Sequence, residues 1–138
     1  MTRPRSFPRS RPYAPAGLAL IAGAALFAIV VRDPHEDGAW ARCPTQWISG
    51  MSCPGCGSLR ALHDLATGDL AEAVTHNPLV IPALAFLGWA WIAWSVRIYG
   101  GSFPAPPAGR VFCMAVLATL AVHTVTRNLP GAAFSGAA

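Results

Sequence analysis

Three uncharged apolar runs organise this chain. Residues 14–31 (APAGLALIAGAALFAIVV) end abruptly at Arg32-Asp33-Pro34. Residues 79–96 (LVIPALAFLGWAWIAWSV) form the second run, and residues 111–126 (VFCMAVLATLAVHTVT) a third that only His123 interrupts. At 1.5 Å per residue the first run reaches roughly 27 Å, close to the hydrocarbon thickness of a bilayer. The pattern predicts an all-α membrane protein with transmembrane helices over 14–31, 78–98 and 111–127. A basic N-terminal arm (1–13) precedes them, a loop (32–77) and a connector (99–110) separate them, and a tail (128–138) follows.

The loop has periodicity of its own. Gly57 to Ala66 reads as a short helix with Leu59, Leu62 and Ala66 on one apolar face and Leu65 beside them. Gly68 suits its C-terminal stop. Asp69 with Glu72 is an acidic variant of a capping box that opens a second helix through about Thr75, with Leu70 and Val74 as its buried side. Asn77-Pro78 suits a helix start, with Asn as cap and Pro in the first turn. Both short helices are expected to lie along the membrane surface. Ser102–Gly109 (SFPAPPAG) is a proline-rich turn, and the Arg-, Pro- and Ser-rich arm reads as disordered.

Composition agrees with a bilayer. Of 138 residues, 54% are hydrophobic and only 12% charged, below the usual share of a soluble domain. The net charge of +4 is not a nucleic-acid signal, because no basic stripe interleaves with aromatics. All basic side chains are arginine. Four of them precede the first run, and Arg97 and Arg110 flank the connector, whereas loop 32–77 sets three arginines against six acids, 3 − 6 = −3. Arginine bias then places the N-terminus and connector in the cytoplasm and the loop outside. Trp89, Trp91, Trp94 and Tyr99 fit the cytoplasmic aromatic belt. A cleaved signal peptide ending at Ala39-Trp40-Ala41 is the rival reading. The acidic stretch Asp33–Asp37 before that site argues for a retained anchor.

Chemistry concentrates in the loop. Cys53-Pro54-Gly55-Cys56-Gly57 is a tight knuckle, and Cys43 can return to it through a bend at Ser49-Gly50. C-x-x-C with one further cysteine serves a metal, a structural disulfide or a redox cycle. Three thiolates need a fourth partner for tetrahedral zinc. His63 and His123 are the main candidates, with His35 and His76 behind them. An outward location favours disulfides, while a helix starting just after the knuckle, with Arg60 nearby, favours thiolate. Cys113 reads as a packing residue. Arg127 reads as an interface anchor, with Arg60, Asn77, Arg127 and Asn128 as a rival polar site for a headgroup or partner. Arg60 and Asp64 can pair at i,i+4. No Ser/His/Asp set, phosphate loop or glycosidase-like carboxylate pair occurs, so a hydrolase is not supported.

Cys43-Pro44, Gly50, Cys53-Pro54-Gly55-Cys56-Gly57, Arg60-Ala61, Gly68-Asp69, Ala73, Asn77-Pro78 and Arg127-Asn128 together resemble the family known as domain of unknown function 2752, small bacterial membrane proteins. The resemblance runs over about residues 43–130. It implies a multi-span inner-membrane protein with a cysteine-containing loop and raises Cys43, Cys53, Cys56, Arg60, Asn77 and Arg127 as a set. It assigns no catalytic residue. The expected function is a thiolate-rich, zinc-binding site at the outer membrane surface, structural or partner-binding rather than enzymatic. The alternatives are a membrane thiol–disulfide oxidoreductase or redox sensor, and a disulfide-stapled accessory subunit of a membrane complex.

Overall fold

The computed structural model describes residues 13–36, 38–40 and 43–129. The expectations for the N-terminal arm, for the tail from Pro130 onward and for Ala41 as a cleavage position lie outside these residues. Among the described residues the chain is all-α, with no strand. The helices are α1 (Ala14–Val31), α2 (Pro44–Ser49), α3 (Ser58–Thr67), α4 (Leu70–His76), α5 (Val80–Ile98) and α6 (Arg110–Arg127). Helices α1, α5 and α6 are each long and apolar enough to cross a membrane.

Polar side chains tie the long helices together at their ends. At one end the Trp91 indole donates to the carbonyl of Pro15 (3.3 Å) and Trp89 to that of Pro104 (3.2 Å). The start of α1, the later half of α5 and the connector therefore share one end, and α1 and α5 run antiparallel. At the other end Arg60 Nε donates to Pro34 O (3.2 Å) and Arg127 Nη1 to His76 O (2.9 Å). Between the ends packing is sparse. Phe86 and Phe112 stack at 5.3 Å, while Leu20, Phe27, Leu87, Leu117 and Val125 point outward. Such surface suits lipid, where apolar side chains gain nothing by meeting one another.

The tightest packing lies in the α3–α4 hairpin. Gly68 takes the left-handed conformation that ends α3. Asp69 then caps α4, accepting from the Glu72 amide at 3.0 Å. Ala61 and Ala73 are fully buried between the two helices, beside Val80, Leu62 and Leu65. Small residues let the backbones approach, and this displaces the expected leucine face. Leu70 and Val74 are exposed rather than buried, as are Leu59 and Ala66. The hairpin also spends its charged residues differently. Asp64 turns inward to histidines and Arg60 to the Pro34 carbonyl, so the two do not pair with each other.

The chain bends at Gly50 as expected, and the stretch before it, Pro44–Ser49, forms a helical turn that the sequence pattern does not assign. Pro44 sits in its first turn and Gly50 ends it in the left-handed region. Gly57, the N-cap of α3, is left-handed too (φ 79°), and a Cβ there would lie 2.7 Å from the His76 carbonyl oxygen. Gly68 (φ 94°) has open space around it. Gly68→Ala should therefore cost only the backbone penalty of about 1–2 kcal/mol. Gly57→Ala should cost more than about 3 kcal/mol, because backbone must also move. Thermal unfolding in detergent, followed by circular dichroism, checks the order; equal losses would show that the Gly57–His76 approach is not tight.

Candidate metal centre

The knuckle closes through its own backbone. The Cys56 amide donates to Cys53 O (3.0 Å) and the Ser58 amide to Gly55 O (3.1 Å), which turns the chain into α3. The Cys53 amide donates to Cys56 Sγ at 3.2 Å, and Cys53 Sγ lies 3.2 Å from Cys56 Sγ. Helix α2 brings back the third sulfur: Cys43 Sγ lies 3.4 Å from Cys53 Sγ. All three thiols are free and partly buried.

Four polar residues hold this arrangement. Asn77 is 1% exposed. Its Nδ2 donates to Pro54 O (3.0 Å), Cys56 O (3.2 Å) and Ser58 Oγ (3.1 Å), while its Oδ1 accepts from the Leu79 amide at 3.0 Å. The side chain thus closes the turn ahead of α5, whose own N-cap is Leu79, and binds the knuckle at once. Asn128 grips the strand of chain before the knuckle from both sides, accepting from the Ser52 amide and donating to the Ser52 carbonyl, each at 2.9 Å. Arg127 is 5% exposed, so it is a buried clamp on the α4 terminus rather than a snorkelling anchor. Arg60 ties α3 to the loop that follows α1. Each of the four donates to at least one backbone oxygen, while the Arg127 Nε is buried without a partner.

The histidines stand elsewhere. Among the described residues no imidazole joins the three sulfurs. His63 contacts the Ile29 carbonyl through Nδ1 at 3.1 Å and lies near Asp33 (3.9 Å). His123 faces a shallow recess with Leu79, Thr119 and Thr126, and its Nε2 is buried without a hydrogen-bond partner. A second polar cluster gathers Asp33, His35, His63, Asp64 and His76 from three separate segments. Sequence reading did not assemble it, since no local spacing links those positions. The Asp33 carboxyl is held below its usual range by hydrogen bonds from the His35 amide and then the His35 ring.

Residues 43–91 match the family model described as Protein of unknown function (DUF2752). The resemblance read from the residues is thereby shown for that stretch, which ends within α5 rather than near residue 130. The matched segment contains all three clustered cysteines, the α3–α4 hairpin and Asn77, while Arg127 and Asn128 reach it from outside. No curated protein and no solved structure matches the chain.

The three thiols are not equivalent. Hydrogen bonding from the Gln46 amide, then from Cys53, lowers the Cys43 thiol from its ordinary 9.0 to about 7. Burial, then the neighbouring Cys53 thiol, pushes Cys56 from 9.0 up to about 12. The depressed Cys43 contributes stability that is complete above pH 9.0 and is lost as pH falls through about 7. The raised Cys56 contributes below pH 9.0, a contribution lost as pH rises toward about 12. In reduced, metal-free protein, iodoacetamide should label Cys43 with a midpoint near pH 7 and leave Cys56 protected at that pH. Identical labelling profiles at the two positions would contradict this asymmetry. Asn77→Ala should destabilise the protein by about 2–4 kcal/mol, because several knuckle acceptors lose their donor, and should expose Cys53 and Cys56 to the same reagent at neutral pH. A stable variant with unchanged labelling would show that the carboxamide does not hold the knuckle.

Proposed function

We propose that this is a bacterial inner-membrane protein whose outward loop carries a three-thiolate metal site, zinc by donor chemistry, that organises the loop for a membrane-protein partner. The N-terminus and the connector lie in the cytoplasm, as the arginine bias favours. One observation carries the reading: two chain segments ten residues apart bring three sulfurs to spacings of 3.2 and 3.4 Å. Around tetrahedral zinc with bonds near 2.3 Å, sulfurs stand about 3.8 Å apart. In a disulfide they stand about 2.05 Å apart. The observed spacings lie closer to the former, and small outward shifts admit an ion. Metal binding also relieves the crowding of three thiols, since coordinated thiolates no longer need protons.

Three protein sulfurs leave a fourth position. With His63 and His123 away from the sulfurs, water or a partner's side chain completes the shell. An open position suits a docking role better than a closed structural knot.

The Cys43 thiol, titrating at about 7 beside Cys53, favours thiol–disulfide exchange as a second reading. There Cys43 attacks an external disulfide and Cys53 resolves the mixed disulfide, releasing the external pair as reduced thiols. This differs from the order expected from the sequence, in which Cys53 and Cys56 cycle and Cys43 resolves.

Native mass spectrometry of protein purified without oxygen or chelator separates the readings. The metal reading expects one zinc-sized mass increment that is lost on acidification and absent from Cys53→Ser and Cys56→Ser. A mass short by two hydrogens with no metal overturns it in favour of a disulfide. Undiminished metal in both serine variants would also overturn it.

A further inference from the structure

Asp33 to His35, Asp64 and His76 lie far apart in the chain, yet the fold brings them into one polar cluster beside α3. His35 Nε2 is 3.3 Å from Asp64 Oδ1, and His76 Nδ1 is 2.8 Å from Asp64 Oδ2. The two rings meet edge to face with centroids 5.0 Å apart. Each oxygen of one carboxylate therefore faces a ring nitrogen from a different segment. The Asp64 side chain is only 8% exposed, whereas that of His35 is 34% exposed and leaves a route to solvent.

The geometry points to a second metal site, distinct from the thiolates, in which His35 Nε2, Asp64 and His76 Nδ1 hold a divalent transition cation. Three further observations support it. First, the donor atoms lie within 4.8 Å of one another, and the His35–Asp64 separation equals the roughly 3.3 Å expected between nitrogen and oxygen ligands on tetrahedral zinc. Second, the other nitrogen of His35 is already engaged, with Nδ1 2.7 Å from Asp33 Oδ1. A carboxylate on one ring nitrogen places the proton there and leaves the opposite lone pair for a metal, the usual outer-shell support of a ligating histidine. His63 closes the far side, its ring edge to face with His35 at 5.5 Å.

The third observation concerns charge. A buried carboxylate needs a compensating positive charge. Among the described residues every ion-pair partner of Asp33 and Asp64 is a histidine, and no arginine reaches either carboxylate. Arg60 and Arg127 donate to the Pro34 and His76 carbonyls instead, and Arg32 lies over the Trp40 ring at 5.9 Å. Imidazolium rings can supply that charge; on deprotonated rings a divalent ion supplies it instead and uses the freed lone pairs. Two nitrogens and one carboxylate suit zinc, iron(II) or cobalt(II) better than calcium or magnesium.

The site does not depend on whether the cysteines bind metal, and the test keeps the two apart. Full-length protein with Cys43→Ser, Cys53→Ser and Cys56→Ser, in detergent, is dialysed against zinc and its metal content measured. The expected result is one zinc per chain, lost when His35→Ala and His76→Ala are added. A serine variant that keeps its helical circular dichroism but binds no zinc overturns the proposal, as does zinc retained after both histidines are removed. Should the serine variant not fold, His35→Ala with His76→Ala in the cysteine-intact chain decides. Loss of one zinc per chain relative to wild type, with cobalt–thiolate absorption unchanged, supports the site, and unchanged stoichiometry overturns it.

Discussion

The carboxamide of Asn77 is the constraint on which the cysteine loop depends. It sits in the turn between α4 and α5, fully enclosed, and it satisfies acceptors on Pro54, Cys56 and Ser58 while accepting from the Leu79 amide. A buried amide is costly unless its hydrogen bonds are made, so the knuckle and the α4–α5 junction are stable only in each other's presence. The left-handed Gly57 permits the approach, since any side chain there would strike the His76 carbonyl. Arg127 binds that same carbonyl from α6. One short stretch, His76-Asn77, is thus the meeting point of the thiol knuckle, the surface hairpin and two long helices.

This arrangement answers a problem posed by the membrane. Apolar helices gain little from one another in lipid, and here their flanks are largely bare. What orients them is polar and lies at their ends: indole-to-carbonyl bonds at one end, and guanidinium and carboxamide clamps at the other. The same clamps position side chains for chemistry. Cys56 stands two residues before α3 and Asp64 lies within it, so the turn at Gly57 and the helix after it link the two clusters. A sulfur-rich site and a nitrogen–oxygen site so placed differ in ligand softness, and each suits a different range of ions.

Much of the scaffold was legible because its signals are local. Uncharged runs marked the long helices, Gly68 and Asp69 the hairpin turn, and the C-x-x-C spacing a turn that brings two sulfurs together; Asn77-Pro78, expected as cap and first turn, instead form the turn before α5, which starts at Val80. Other features escaped because they depend on neighbours. The bend at Ser49-Gly50 was legible, yet six residues are too few to show periodicity, and α2 was not. The α3–α4 interface is built on Ala61 and Ala73, whose small size matters only once the two backbones face each other; larger Leu70 and Val74 drew the expectation instead. The histidine–aspartate cluster draws on residues 33–35, 63–64 and 76, and only the closed hairpin brings them together. Likewise Arg127 looked like an anchor until the His76 carbonyl was seen to receive it.

The most direct test of the central claim is a cobalt(II) titration of the reduced full-length protein under nitrogen, read by absorption. The account predicts an intense thiolate-to-cobalt charge-transfer band in the near ultraviolet that saturates at one thiolate-bound ion per chain. Weak ligand-field absorption alone, through several equivalents and with the thiols shown to be reduced, would contradict a sulfur-ligated centre.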